Sequence, residues 1–211
     1  ISPGGGVFER AQKSVAITPE MKRRFGIEAE ALSPDELIHA LLQAPVDLIW
    51  NGGIGTYVKA THEPHADVGD RANDAIRVDG RELRCKVFGE GGNLGMTQAG
   101  RVEFALAGGG VNTDFIDNAA GVDCSDHEVN LKILLNHLVA DGDMTVKQRN
   151  QLLVETTGDI AALVLTNTFR QAQALSIAQR HVRVRVTEYQ RFMSRMEADQ
   201  HLDRKLEGLP T

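Results

Sequence analysis

Lys86-Val87-Phe88-Gly89-Glu90-Gly91-Gly92-Asn93-Leu94-Gly95 holds three kinds of residue in an informative order. Lys86-Val87-Phe88 reads as the end of a buried strand, and the glycines that follow read as a turn. Thr97 to Ala107 then reads as the helix leaving that turn. Open α/β sheets collect ligands at such places, because side chains and free backbone groups converge beyond the carboxyl ends of the strands. A second polar segment, Asp117-Asn118-Ala119-Ala120-Gly121-Val122-Asp123-Cys124-Ser125, repeats the asparagine-and-glycine theme and is expected to form a second turn.

Upstream, the same rhythm appears once more. Thr18-Pro19-Glu20 and Ser33-Pro34-Asp35-Glu36 are helix starts: a hydroxyl to cap free amides, proline in the first turn, then acids. Ser33 and Glu36 have capping-box spacing. Leu37, Ile38, Leu41 and Leu42 give that helix an apolar face, and Ala44-Pro45 stops it. Val46 to Trp50 follows as a short buried strand ending in Asn51-Gly52-Gly53-Ile54-Gly55-Thr56. Helix, tight link, strand and glycine turn define an α/β chain. Lys59 to Asp74 is mixed and polar and is expected to be irregular, while Asp79-Gly80 suggests a hairpin or sharp reversal. Gly108-Gly109-Gly110 should end the helix after Thr97 in left-handed geometry.

From Val129 onward the pattern is helical. Val129, Ile133, Leu134, His137 and Leu138 start a helix that Asp141-Gly142-Asp143 closes. Two later series, Leu165, Phe169, Ala172, Leu175 and Val182, Val186, Tyr189, Met193, Met196, recur at helical spacing and predict packing faces. Arg180, Arg183, Arg185, Arg191 and Arg195 are interrupted by Glu188, Glu197 and Asp199, so they read as a solvated face.

Composition narrows the function. The 211 residues carry a net charge of −6, which argues against general affinity for nucleic acid or anionic membrane. No apolar run nears the roughly 20 residues of a membrane span. Two cysteines, Cys85 and Cys124, are expected to be reduced, buried thiols in a cytoplasmic protein. His62-Glu63-Pro64-His65 lacks further ligands at zinc spacing and reads as a surface loop. Asp123, Ser125 and His127 have the residue types of a hydrolase triad, but such triads draw on separate elements.

With both asparagine motifs in view, the chain resembles NAD-dependent glutamate dehydrogenases, specifically the very large bacterial type whose dehydrogenase core lies near the end of a much longer polypeptide. Ordinary members read roughly Glu-Gly-Ala-Asn and Asn-Ala-Gly-Gly-Val with a serine three residues on. Here the matching residues are Glu90-Gly91-Gly92-Asn93 and Asn118-Ala119-Ala120-Gly121-Val122 with Ser125. Ala120, Gly92 and Asp126-His127 depart from the short-chain pattern. Ser2-Pro3-Gly4-Gly5-Gly6-Val7-Phe8 and Asp67 to Asp74 extend the likeness to the large type over nearly the whole chain.

The resemblance implies a partial Rossmann-like nucleotide-binding domain over residues 1–140, followed by an all-helical C-terminal segment over 141–211. It implies NAD contacts at Asn51, Gly52, Gly53, Glu90, Gly91, Asn93 and Asn118, and L-glutamate or 2-oxoglutarate contacts at Val122 and Ser125. A carboxamide suits this task, offering donor and acceptor without a charge near the hydride path. No Gly-x-Gly-x-x-Gly is complete, since Leu94 stands where the third glycine belongs, and the chain starts at Ile1. It is therefore expected to be a fragment, without catalytic acid/base groups or metal, inactive alone, and working with the remainder of its polypeptide in a homo-oligomer. A non-catalytic interaction or oligomerisation module with a vestigial nucleotide site is the alternative.

Overall fold

The computed structural model describes residues 1–209. They form two compact units that part between Asp117 and Asn118, with the tail from Glu207 belonging to the first. The helix over Ala119–Ala140 belongs to the second unit, where it packs on the last long helix.

The first unit opens with β1 (Val15–Ala16), α1 (Pro19–Phe25), β2 (Ala31–Leu32) and α2 (Pro34–Leu42). Both helices start as the residues require. The Thr18 side chain accepts from the Met21 amide, and Ser33 with Glu36 completes a capping box. β1 and β2 pair antiparallel, and Val15, Ile17, Met21, Ile27 and Leu37 close a small core beside them.

The chain then enters β3 (Leu48–Asn51), β4 (Val58–Lys59), α3 (His65–Val68), β5 (Val78–Asp79), β6 (Val87–Glu90), α4 (Gln98–Leu106), β7 (Gly110–Val111) and α5 (Asp114–Asp117). β3, β6 and β7 make one parallel sheet in that order, with Asn51 level with Glu90. Both connections step the same way across the sheet, so right-handed crossovers place them on one face. Side chains there form the main core: Val58, Val78, Leu83, Cys85, Phe88, Met96 and Phe104, with Ile49 and Val111 against it.

Among the described residues the other face is only partly covered. Leu48, Trp50 and Val87 alternate out of the core and stay exposed, Trp50 by 57%. The strand expected to be buried is therefore buried on one side only. The Trp50 indole fills the space that side chains on Gly89 and Gly91 would need, which is why small residues face it on β6.

Asp79-Gly80 makes no hairpin. β4 and β5 run parallel, and Gly80–Glu82 is a 3-10 turn in which the Asp79 amide donates to Glu82. A residue pair favoured in hairpins serves here as a helical start because the strand before it pairs with β4 and not with the segment that follows. α4 ends as anticipated, with Gly108 left-handed and the Gly109 amide donating to the Phe104 carbonyl.

The second unit is helical: α6 (Ala119–Ala140), α7 (Val146–Glu155) and α8 (Thr157–Ala198). α6 begins six residues before Ser125 rather than after it, so the second asparagine motif is a helix start and not a turn. Among the described hydrophobic residues of this unit only Leu135 and Val164 are buried, while Leu165, Phe169, Leu175, Val182 and Val186 are exposed. α8 packs on α6 and half-buries Tyr189, Met193 and Met196, but much of the expected packing faces stays exposed among the described residues. Its arginines do pair locally, Arg185 with Glu188 and Arg195 with Asp199. Among the described residues no helix is long and apolar enough to cross a membrane.

Two measurements check this fold. Phe104→Ala, at a site 2% exposed, should reduce unfolding free energy by about 3–5 kcal/mol in denaturant titration. The sole tryptophan, Trp50, should show red-shifted emission in the isolated chain and be readily quenched by acrylamide; a blue-shifted, protected signal would mean the sheet face is covered.

Candidate functional site

At the carboxyl ends of β3 and β6 two glycine turns interlock. The Gly92 amide donates to the Asn51 carbonyl at 3.0 Å. A side chain on Gly92 would collide with the Gly53 carbonyl, so only glycine lets the turns approach this closely. Asn51 is itself folded inward, 9% exposed, with Oδ1 accepting from the Gly53 amide at 3.3 Å. Among the described residues its Nδ2 has no hydrogen-bond acceptor. Gly52, Gly53, Gly91 and Asn93 lie on the exposed side.

The second turn is held from several directions. Thr56 Oγ1 donates to the Leu94 carbonyl at 2.7 Å, and the Tyr57 amide donates to the Gly95 carbonyl at 2.8 Å. The Leu94 amide donates to Asp114 Oδ2 at 2.7 Å, and the Glu90 amide to Asp117 Oδ2 at 3.0 Å. Beneath it lies the Glu90 carboxylate, fully buried. It accepts from Arg101 Nε at 2.6 Å, Arg101 Nη2 at 3.0 Å and the Met96 amide at 3.1 Å. Asp114 Oδ1 stands 3.4 Å from Arg101 Nη2. Buried charges require such pairing, and it commits the Glu90 side chain to the interior. The Glu90 carboxylate thus supports the turn from within.

The segment after Asn51 is irregular but clasped. Arg77 has a fully buried guanidinium that donates to the Thr56 carbonyl at 2.8 Å and pairs with Asp74, with His65 Nδ1 2.8 Å from its Nη1. His65, exposed at the end of that surface segment, is held beside the clasp. Asp70 accepts from the Asn73 side chain at 2.7 Å and the Thr56 amide at 2.8 Å. Those bonds, led by Asn73, hold its carboxyl below the usual range.

In the second unit, Asn118 occupies the N-cap position of α6. Val122 and Ser125 follow at helical spacing, which sets the three on one helix face, and both Val122 and Ser125 are exposed. His127 Nε2 lies 3.4 Å from Asp123 one turn away. Ser125, two residues from each, points to a different side of the helix, so no relay forms. Cys124 is exposed, against the expectation of a buried thiol; a helical start in place of a turn puts it outward. Cys85 is buried, and burial pushes its thiol upward.

Sequence reasoning missed Arg101, Asp114, Asp117 and the Asp70–Arg77 clasp. One signal was present. Arg101 shares a helix face with Phe104 three residues on, and a lone guanidinium on a buried stripe demands an acid nearby.

Glycine turns at the carboxyl ends of adjacent parallel strands stand where open α/β sheets collect their ligands. Comparison with known proteins narrows that reading. Residues 1–178 match the family model of the bacterial NAD-glutamate dehydrogenase catalytic domain, and the chain belongs to that family. It is 69% identical over its whole length to the NAD-specific glutamate dehydrogenase of Pseudomonas aeruginosa, 59% to that of Halomonas elongata and 46% to that of Mycobacterium tuberculosis. In each case the chain spans 13% of the relative's length.

Two predictions follow from the geometry. Arg101→Met leaves the buried Glu90 charge unpaired and should destabilise the fold by about 3–5 kcal/mol, whereas Arg101→Met with Glu90→Leu should recover much of that loss in a double-mutant cycle. Asp70 binds its proton less tightly folded than unfolded, so its contribution is present at neutral pH and lost as pH falls below about 4. Asp70→Asn should flatten the acid limb of the stability profile; an unchanged limb would dismiss the clasp.

Proposed function

We propose that this chain is the cofactor- and substrate-positioning part of an NAD-dependent glutamate dehydrogenase, which converts L-glutamate, NAD and water to 2-oxoglutarate, ammonia and NADH. The interlocked turns on β3 and β6, in a member of this family, carry the reading. NAD, when bound, accepts the hydride. The chain's own residues orient and exclude: Asn51, Gly52 and Gly53 line one turn, and Gly91 and Asn93 the other. The glycines admit close backbone approach, and the Asn93 carboxamide supplies neutral donor and acceptor groups. The open space around Gly53, where a side chain would meet nothing, fits such a ligand. Asn118 would add a further cofactor contact, with Val122 and Ser125 meeting the substrate, Ser125 through its hydroxyl on the distal carboxylate.

Orientation can supply a large part of a barrier but moves no proton. We assign general acid and base to the remainder of the polypeptide and expect this chain alone to be inactive. The partly covered sheet face at Leu48, Trp50 and Val87 is consistent with that division, because parallel sheets are covered on both faces. A second role, assembly, is favoured by the exposed apolar residues of α8, which fit a homo-oligomer contact or another part of the same chain.

The test is glutamate-dependent NAD reduction by the longer polypeptide. Asn93→Ala should raise the apparent KM for NAD, and Ser125→Ala the KM for glutamate, each by about tenfold for one lost hydrogen bond. A folded parent in which no variant or wild type reduces NAD would favour the interaction-module reading instead.

A further inference from the structure

Leu94 is one of two non-glycine residues with positive φ among those described, at +58°; the other, Gln200, lies just past the end of α8. A branched side chain in the left-handed region is strained, and glycine or asparagine would take the position more easily. Strain of this kind is ordinarily offset by burial. Here it is not: Leu94 is 63% exposed. The turn already uses glycine at Gly91, Gly92 and Gly95, so the backbone alone gives no reason for leucine.

The backbone around Leu94 is gripped on both sides of the residue. Asp114 Oδ2 takes its amide at 2.7 Å, and Thr56 Oγ1 donates to its carbonyl at 2.7 Å. Asp114 is in turn set by Arg101, which is locked to the buried Glu90. A buried charge network therefore ends on the amide of an exposed, strained, apolar residue next to Asn93. Such outliers point to function when the surroundings over-determine them.

We propose that Leu94 is a cofactor-contacting residue, presenting its side chain to the planar nicotinamide ring beside Asn93, and that Glu90, Arg101 and Asp114 are positioning residues that hold it there. The proposal rests on the reading that Asn93 faces NAD. Ligand contact supplies the burial that the free chain lacks, and the left-handed backbone turns the side chain outward while leaving Asn93 to bind polar groups. Leu94 thus replaces, with an apolar surface, the glycine that would complete a dinucleotide fingerprint.

The experiment uses the longer polypeptide and reads NADH binding by fluorescence titration alongside thermal unfolding. Leu94→Gly should weaken NADH binding about tenfold, the loss of part of a leucine's contact, while the unfolding temperature holds or rises, because glycine relieves the strain. Asp114→Ala should raise KM for NAD with little change in kcat at saturation. Asp114→Asn, which keeps an acceptor for the Leu94 amide, should restore most of that loss. Wild-type affinity in Leu94→Gly overturns the proposal. So does a parallel fall in affinity and unfolding temperature, which would place Leu94 against another part of the polypeptide. Absence of NADH binding by the wild type would refute the underlying cofactor reading, a result distinct from either.

Discussion

A carboxylate with no access to water sits at the carboxyl end of β6, and the local structure is arranged to pair it. Glu90 is fully buried and bound by two nitrogens of Arg101 and the Met96 amide. Desolvating such a group is expensive, and its partners must therefore be exact in placement. Arg101 comes from α4 and Met96 from the entry to that helix, so satisfying Glu90 fixes where the chain leaves the turn. Asp114 joins from the far side of β7 and carries the constraint back to the Leu94 amide. One buried charge thus ties strand, turn, helix and the start of α5 into a single unit.

The sheet supplies the platform for that arrangement. Three short parallel strands have few backbone bonds of their own, and their stability depends on the side chains beneath them. Phe88 and Phe104 fill that layer, 1% and 2% exposed. Because both crossovers lie on the same face, all of this packing is on one side. The opposite side has Trp50 lying over Gly89 and Gly91, a local cover for two residues without side chains.

Much of the first unit was legible because its signals are local. Hydroxyl caps with proline behind them marked α1 and α2, glycines marked the end of α4, and short apolar runs marked β3 and β6. The parallel pairing of β4 with β5 was not legible, since Asp79-Gly80 carries the same residues as a hairpin and only distant pairing distinguishes the two. Nor was the exposure of Trp50, because an apolar strand reads alike whether one face or both are covered. The candidate site was legible in its glycines and asparagines and hidden in its supports. Asp114 and Asp117 look like surface acids in sequence; their work is to accept amides from residues 20 and 27 positions away.

The two asparagine motifs show how context separates similar residues. Asn93 lies among four glycines, a density that no helix tolerates, and the chain turns. Asn118 is followed by Ala119-Ala120 and preceded by α5, so one glycine at 121 is insufficient to break the helix that begins there. The backbone next to Asn93 is consequently held by a network of buried charge, and Asn118 sits at the start of a regular helix. That difference follows from glycine count alone, before any residue touches a ligand.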